Sequence, residues 1–115
     1  MEKVLIAIGG NAIYNKETGR NIDPEALDEV CGHIVEIIEC GYHPIVTFGN
    51  GPQVGNLLDM AETSMRTISA SPIKMDACVA WTQGEIGYRL TREVIAALRK
   101  KGLKHEVAGI TTTVS

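Results

Sequence analysis

No stretch of this chain is apolar for long enough to cross a bilayer. The first apolar run, Val4 to Ile8, has five residues behind a single early lysine, too short for the core of a signal peptide. Positive charge is not in excess either. Eleven Lys and Arg stand against 14 Asp and Glu, a formal net charge of −3, and such a balance gives no reason to expect nucleic acid or a membrane surface as a partner. Cysteine is scarce: Cys31, Cys40 and Cys78 show no metal-ligand spacing and leave an odd one over. They read as three reduced, mostly buried thiols in a cytoplasmic protein. Cys31 and Cys40, nine positions apart on a predicted helix, fall on opposite faces. Internal repeats, linkers and low-complexity tracts are also missing. What remains is one domain at most in 115 residues, with an ordinary 44% apolar and 22% charged content. An anion site in such a chain has to be built locally, from backbone dipoles and a few side chains.

The pattern along the chain is that of an α/β protein. Val4 to Ile8 reads as a buried strand. Asn15 to Asn21 is a polar loop, and Asp23-Pro24-Glu25 opens a helix with an Asp cap, Pro at the first helical position and acid in the first turn. Leu27, Val30, Cys31, Ile34, Val35 and Ile38 recur at helical spacing and define its buried face. Gly41 stops the helix, His43-Pro44 opens a second strand, and Ile45 to Phe48 completes it. Strand, helix and strand in that order predict a parallel pair with a right-handed crossover. A helix from Pro52 or Gln53 to about Glu62 follows, then a Ser- and Thr-rich loop from Ser64 to Pro72. A long helix is expected from Ile73 to Lys101, with Ile86, Leu90, Val94 and Leu98 as its stripe and Arg99, Lys100, Lys101 and Gly102 at its end. Its first half, Met75 to Trp81, is apolar nearly all round and predicts cover on more than one side. Val107 to Val114 reads as a third strand. A strand so placed leaves edges and helix faces uncovered, so the chain reads as the first portion of a longer protein.

Each early strand runs directly into a glycine-rich turn: Gly9-Gly10-Asn11 after the first, Gly49-Asn50-Gly51-Pro52-Gln53-Val54-Gly55 after the second. Glycines let backbone N–H groups approach an anion, and ligands of open α/β sheets gather beyond the carboxyl ends of parallel strands. Alone, Gly9-Gly10 is also what a tight turn needing positive φ would show. The second loop is more specific, because Pro52 sets the first helical φ and the helix starts with its N–H groups and positive dipole end toward the loop. Glycines at 49, 51 and 55 are spaced one residue too widely for a dinucleotide fingerprint. No Gly-Lys-Ser/Thr follows, which excludes a P-loop.

Three motifs together, Ile6-Ala7-Ile8-Gly9-Gly10-Asn11-Ala12, Gly49 to Gly55 and Thr82-Gln83-Gly84-Glu85-Ile86-Gly87-Tyr88, resemble the carbamate kinases of the amino acid kinase family, in order and over essentially the whole chain. The resemblance implies an open, mainly parallel sheet with helices on both faces, a three-layer α/β/α fold incomplete at its C-terminus. Residues 1–115 would then be the N-terminal portion that binds carbamate and phosphoryl. It further implies reversible phosphoryl transfer between ATP and carbamate, giving carbamoyl phosphate and ADP, with Mg²⁺ arriving with the nucleotide and a cytoplasmic homodimer as the intact protein. Relatives commonly run the reaction toward ATP during arginine fermentation. Gly9, Gly10 and Asn11 would cradle the phosphoryl group; Gly49, Asn50 and Gly51 would hold the carbamate carboxylate, with the Asn50 amide donating to it. The catalytic lysines would lie beyond Ser115, so the chain by itself is expected to be inactive. Many other members carry a lysine just ahead of the glycine pair. Here Ile8 stands there and Lys3 lies at the strand's far end, which disfavours a sister acylphosphate-forming kinase. A non-catalytic anion-binding module remains the alternative of a different class.

The sequence departs from the family at Phe48, where relatives often carry a polar residue or His, which bears on the pocket's polarity. It departs again at Trp81, usually a smaller residue, which bears on packing or a subunit contact. Other candidates read as structural. Lys74 and Lys104 are solvated surface, His33 is surface or edge packing without a carboxylate partner one turn away, and His43 and His105 are solvated strand starts. Asp76 is a helix cap or loop tether, and the hydroxyls of Ser64 to Ser71 have no base nearby.

Overall fold

The computed structural model describes residues 2–9, 11–15, 17, 21–49, 55, 57–60, 62–63 and 74–112. Two strands, β1 (Lys3–Ile8) and β2 (His43–Phe48), pair in parallel, with Lys3 opposite His43 and Ile8 opposite Phe48. Between them runs helix α1 (Pro24–Glu39); the long helix α2 (Met75–Lys100) follows. Residues 55, 57–60 and 62–63 are helical as well, as expected, while its start at Pro52 or Gln53 lies outside the described residues, as do Ser64 to Pro72.

Helix α1 begins as its residues dictate. The Asp23 carboxylate accepts from the Glu25 N–H at 3.0 Å and Pro24 occupies the first turn. It ends at Gly41, whose φ of +93° lets the chain turn back while its N–H donates to the Ile38 carbonyl at 3.0 Å. Leu27, Cys31, Ile34 and Val35 are buried on its inner face. They pack with Ile86, Leu90, Val94 and Leu98 of α2 and with Ile8, Ile13 and Tyr14 into one core cluster, against which Ile6, Val46 and Phe48 rest. One face of the sheet therefore lies on the helices. On its other face Leu5 and Ile45 are exposed.

Three expectations need correction. The segment from Val107 is not a strand through residue 112 (113–114 lie outside the described residues), and the described sheet has two strands. Side chains of α2 hold the backbone just before this segment and at its described end. The Arg99 guanidinium donates to the carbonyls of Leu103 and His105, and the Thr112 N–H donates to Gln83 Oε1 at 3.1 Å. Second, the first half of α2 is without the cover expected on a second side: Cys78 is buried, but Met75 and Trp81 are 62% and 56% exposed. Third, Cys40 is exposed while Cys31 and Cys78 are buried, because Cys40 is the C-cap residue of α1 and leaves the buried stripe.

Candidate functional site

The two glycine loops leave the sheet side by side. Ile8 and Phe48 are register partners, and one position further the Gly49 N–H donates to the Ile8 carbonyl at 3.3 Å. Gly9 and Gly49 are both exposed at this carboxyl edge. Just beyond, the Ala12 N–H returns to the Gly9 carbonyl at 3.0 Å, closing a turn that carries the exposed Asn11. Gly10, Asn50 and Gly51 lie outside the described residues. Lys3 is exposed at the opposite end of β1.

Gly9 does not need to be glycine for the fold's sake. Positive φ among the described glycines belongs to Gly41 and Gly102, so the tight-turn reading in its positive-φ form does not apply to Gly9. A Cβ built at Gly9 would meet nothing within 4 Å, and the same holds at Gly55. Among the described residues neither positive φ nor a packing contact explains the missing side chain.

The first loop is rooted firmly. Ile13 and Tyr14 are 2% and 4% exposed. Tyr14 bridges Ile22 in antiparallel fashion, flanked by Asn15 N–H to Asn21 carbonyl and Asp23 N–H to Ile13 carbonyl, both 2.8 Å. The two ends of the polar stretch, Asn15 and Asn21, are thus tied together. Sequence reading missed this anchor, although the apolar Ile13-Tyr14 and Ile22 on either side of a polar stretch are its signal.

The third motif stands behind the site. Thr82 is buried, and its hydroxyl is engaged with the carbonyls of Cys78 and Val79 at 3.0 and 3.1 Å. Gly87 faces the ring of Phe48, which a Cβ would meet at 3.6 Å. The motif therefore seats α2 against the end of β2, one residue before the second loop. Phe48 itself packs on the core, so this departure is taken up by packing against α2.

The remaining candidates stay apart from the loops. Lys74 and Lys104 are exposed. His33 is an exposed residue, as expected, but it does have acid neighbours: Glu29 Oε1 lies 3.8 Å from one ring nitrogen and Glu36 Oε2 3.6 Å from the other. The spacing of four and three residues on α1 could have shown this. His43 starts β2 and is exposed; His105 is exposed in the irregular segment. Asp76 is not the N-cap residue of α2, which is Lys74 without a side-chain bond, but it does serve the helix start: its carboxylate accepts from the first-turn Ala77 N–H at 2.9 Å. Burial, with Glu93 and Asp28 adding to it, pushes the Cys31 thiol up to about 11, so it is inert as a nucleophile. Among the described residues no group of three or more His, Cys, Asp or Glu is placed to hold a metal ion, and none of their helices is long and apolar enough to cross a membrane.

Comparison with known proteins agrees with this geometry. A model of the amino acid kinase family matches residues 2–114. Carbamate kinase 1 of Enterococcus faecium is 38% identical over 98% of this chain and 36% of its own length. The carbamate kinase of Pyrococcus horikoshii is 42% identical over 96% of this chain and 36% of its own. In three dimensions the chain superposes on the carbamate kinase from Giardia lamblia bound to AMP-PNP with a TM-score of 0.76 and 25% identity, over 89% of this chain and 32% of that one. The chain spans about a third of the length of the relatives it matches.

Proposed function

Because the chain belongs to the amino acid kinase family, we propose that it supplies the carbamate- and phosphoryl-holding part of a carbamate kinase. Gly9, Gly10 and Asn11 present backbone N–H groups to the phosphoryl group in flight. Gly49, Asn50 and Gly51 hold the carboxylate of carbamate. The observation that carries this reading is the Gly49–Ile8 bond, which brings the roots of both loops together in front of space that no side chain of Gly9 fills.

Phosphoryl transfer asks a protein for positioning and charge stabilisation more than for covalent chemistry. A planar carboxylate offers few handles, and a ring of backbone N–H donors suits it. The nucleotide and its Mg²⁺ belong to the reaction of the whole kinase. No cluster of acids among the described residues fits a resident metal. The carbamate kinase from Giardia lamblia was solved with AMP-PNP bound, which supports ATP and ADP as the nucleotide partners. A homodimer, a place in the cytoplasm and a role in arginine breakdown complete the proposal.

Calorimetric titration of the chain with carbamoyl phosphate tests it. Asn50→Ala removes one charge-assisted hydrogen bond and should weaken binding by about 1.5–3 kcal/mol, roughly tenfold to a hundredfold. Gly10→Val should abolish binding while leaving the unfolding midpoint nearly unchanged. No heat from carbamoyl phosphate with the unmodified chain, or equal affinity in Asn50→Ala, would overturn the assignment. A coupled assay forming ATP from carbamoyl phosphate and ADP should give no turnover with these 115 residues, where no lysine or arginine is assigned to the transferring group.

A further inference from the structure

One glycine of the third motif touches the root of the second loop. Phe48 is the last residue of β2, and Gly49, the first of the loop, follows it directly. The tip of the Phe48 ring rests over Gly87, where a Cβ would come within 3.6 Å of Cζ. Helix α2 is held at this turn from two further sides. Ile86 and Leu90 are buried in the core shared with α1. Gly109 lies against the same turn from outside: a Cβ there would come within 2.9 Å of Thr91 Oγ1 and 3.7 Å of the Gly87 carbonyl oxygen. A helix clasped in this way has little room to step back, so extra volume at Gly87 has to be taken up by the ring. On the other side of the ring's own backbone, the Gly49 N–H reaches the Ile8 carbonyl over 3.3 Å, already the long side of such bonds. The joint between the two loops closes with nothing to spare.

We propose that Gly87 and Phe48 are positioning residues for carbamate: the bare Cα of Gly87 is the seat that sets how far the Gly49-Asn50-Gly51 loop stands from the first loop. The proposal rests on the two-loop site of the preceding section and names what fixes its width. Carbamoyl phosphate would span both loops, its phosphoryl end on Gly9, Gly10 and Asn11 and its carbamoyl end on Gly49, Asn50 and Gly51. A ligand that bridges two loops feels their separation, whereas inorganic phosphate, held by the first loop alone, does not. Pushing the ring outward draws Gly49 off Ile8 and widens the site on its carbamate side. Phe48 itself touches neither anion and acts through the backbone of its neighbour. Its departure from the polar residue of relatives is matched by a helix position that carries no side chain to obstruct the ring.

Titration calorimetry of the full 115-residue chain with carbamoyl phosphate and, separately, with inorganic phosphate tests this. Gly87→Val drives a branched side chain into the ring, although valine is the better helix former. It should weaken carbamoyl phosphate about tenfold or more and inorganic phosphate less than about twofold. Gly84→Val is the matched control, the same exchange one turn earlier in the same motif, where a Cβ meets nothing within 4 Å; both affinities should stay as in the unmodified chain. Phe48→Ala removes the ring and should also weaken carbamoyl phosphate selectively. In that background Gly87→Val should cost nothing further, because no ring is left to push. Phe48→Ala also carries the test by itself should Gly87→Val fail to fold by circular dichroism. Amide NMR of the ligand-free chains reads the contact directly: the Gly49 signal should move in Gly87→Val and hold still in Gly84→Val. Equal loss of both anions, additive effects in the double variant, or an unmoved Gly49 signal would overturn the positioning role and leave the two-loop site standing. The last result would mean that the ring swings into the groove of about 540 Å³ that it lines. An unmodified chain that does not bind carbamoyl phosphate would sink the site and this inference with it.

Discussion

Helices α1 and α2 share one core and differ in what they leave over. Helix α1 has one apolar face, all of it turned inward, a carboxylate cap at Asp23 and a glycine stop at Gly41. Helix α2 has an equally well-buried stripe, from Cys78 through Ile86 to Leu98, and beyond it Met75, Trp81 and Tyr88 in the open. Its N-cap, Lys74, makes no side-chain bond. The first helix is satisfied by the two strands and its neighbour. The second keeps large apolar side chains in the open. The exposed aromatic residues therefore sit beside a well-packed core and are not gaps in it.

The largest test of this contrast is truncation on the two sides of α2. Leu27→Ala in α1 and Ile86→Ala in α2 empty fully buried sites, at 2% and 0% exposure, and should each cost about 2–5 kcal/mol in urea unfolding. Met75→Ala, on the open side, should stay within about 0.5 kcal/mol. A cost at Met75 comparable to that at Ile86 would mean that the open side is covered after all.

Alkali should strain the α1 side. Cys31 keeps its proton in the fold to about pH 11 against an ordinary value of 9.0, chiefly because it is buried. Below pH 9 both states hold the proton and stability is unaffected. Above it the unfolded chain releases the proton first, so unfolding becomes easier through the window up to about 11, by about 2–3 kcal/mol. The profile of Cys31→Ala should be flatter over the same range. Cys40, exposed at the end of α1, should react with a thiol reagent well before Cys31 and Cys78.

Smaller effects sharpen the comparison at the helix starts. Asp23→Ala should cost about 1 kcal/mol, while Lys74→Asp, which supplies the cap that α2 lacks, should add a similar amount. The exposed pair of Lys101 and Glu39, 2.6 Å apart, ties the ends of the two helices. Lys101→Met should lower the thermal midpoint by less than either cap change, and added salt should erase the difference.

Most of the fold was legible in the residues. Strand runs, the Asp23-Pro24-Glu25 start, the Gly41 stop and the i, i+4 stripe of α2 are local signals, and each local choice agrees with the whole. The segment from Val107 was misread because a Thr-rich, alternating stretch says only that a strand is acceptable. Whether it pairs depends on where its backbone bonds go, and the Thr112 N–H goes to Gln83 Oε1 and not to β2. The site was legible as two glycine turns after two strands. Its anchor at Ile13 and Tyr14 was signalled only by the apolar Ile13-Tyr14 and Ile22 on either side of a polar stretch, which carries no helical or strand period.

The central claim is that the two loops form one anion site. Amide-resolved NMR during a titration with carbamoyl phosphate tests it most directly. The account predicts that the N–H signals of Gly9, Gly10 and Asn11 and those of Gly49, Asn50 and Gly51 move together, on a single saturation curve with one dissociation constant. Movement of one loop alone, or two curves with different constants, would contradict it.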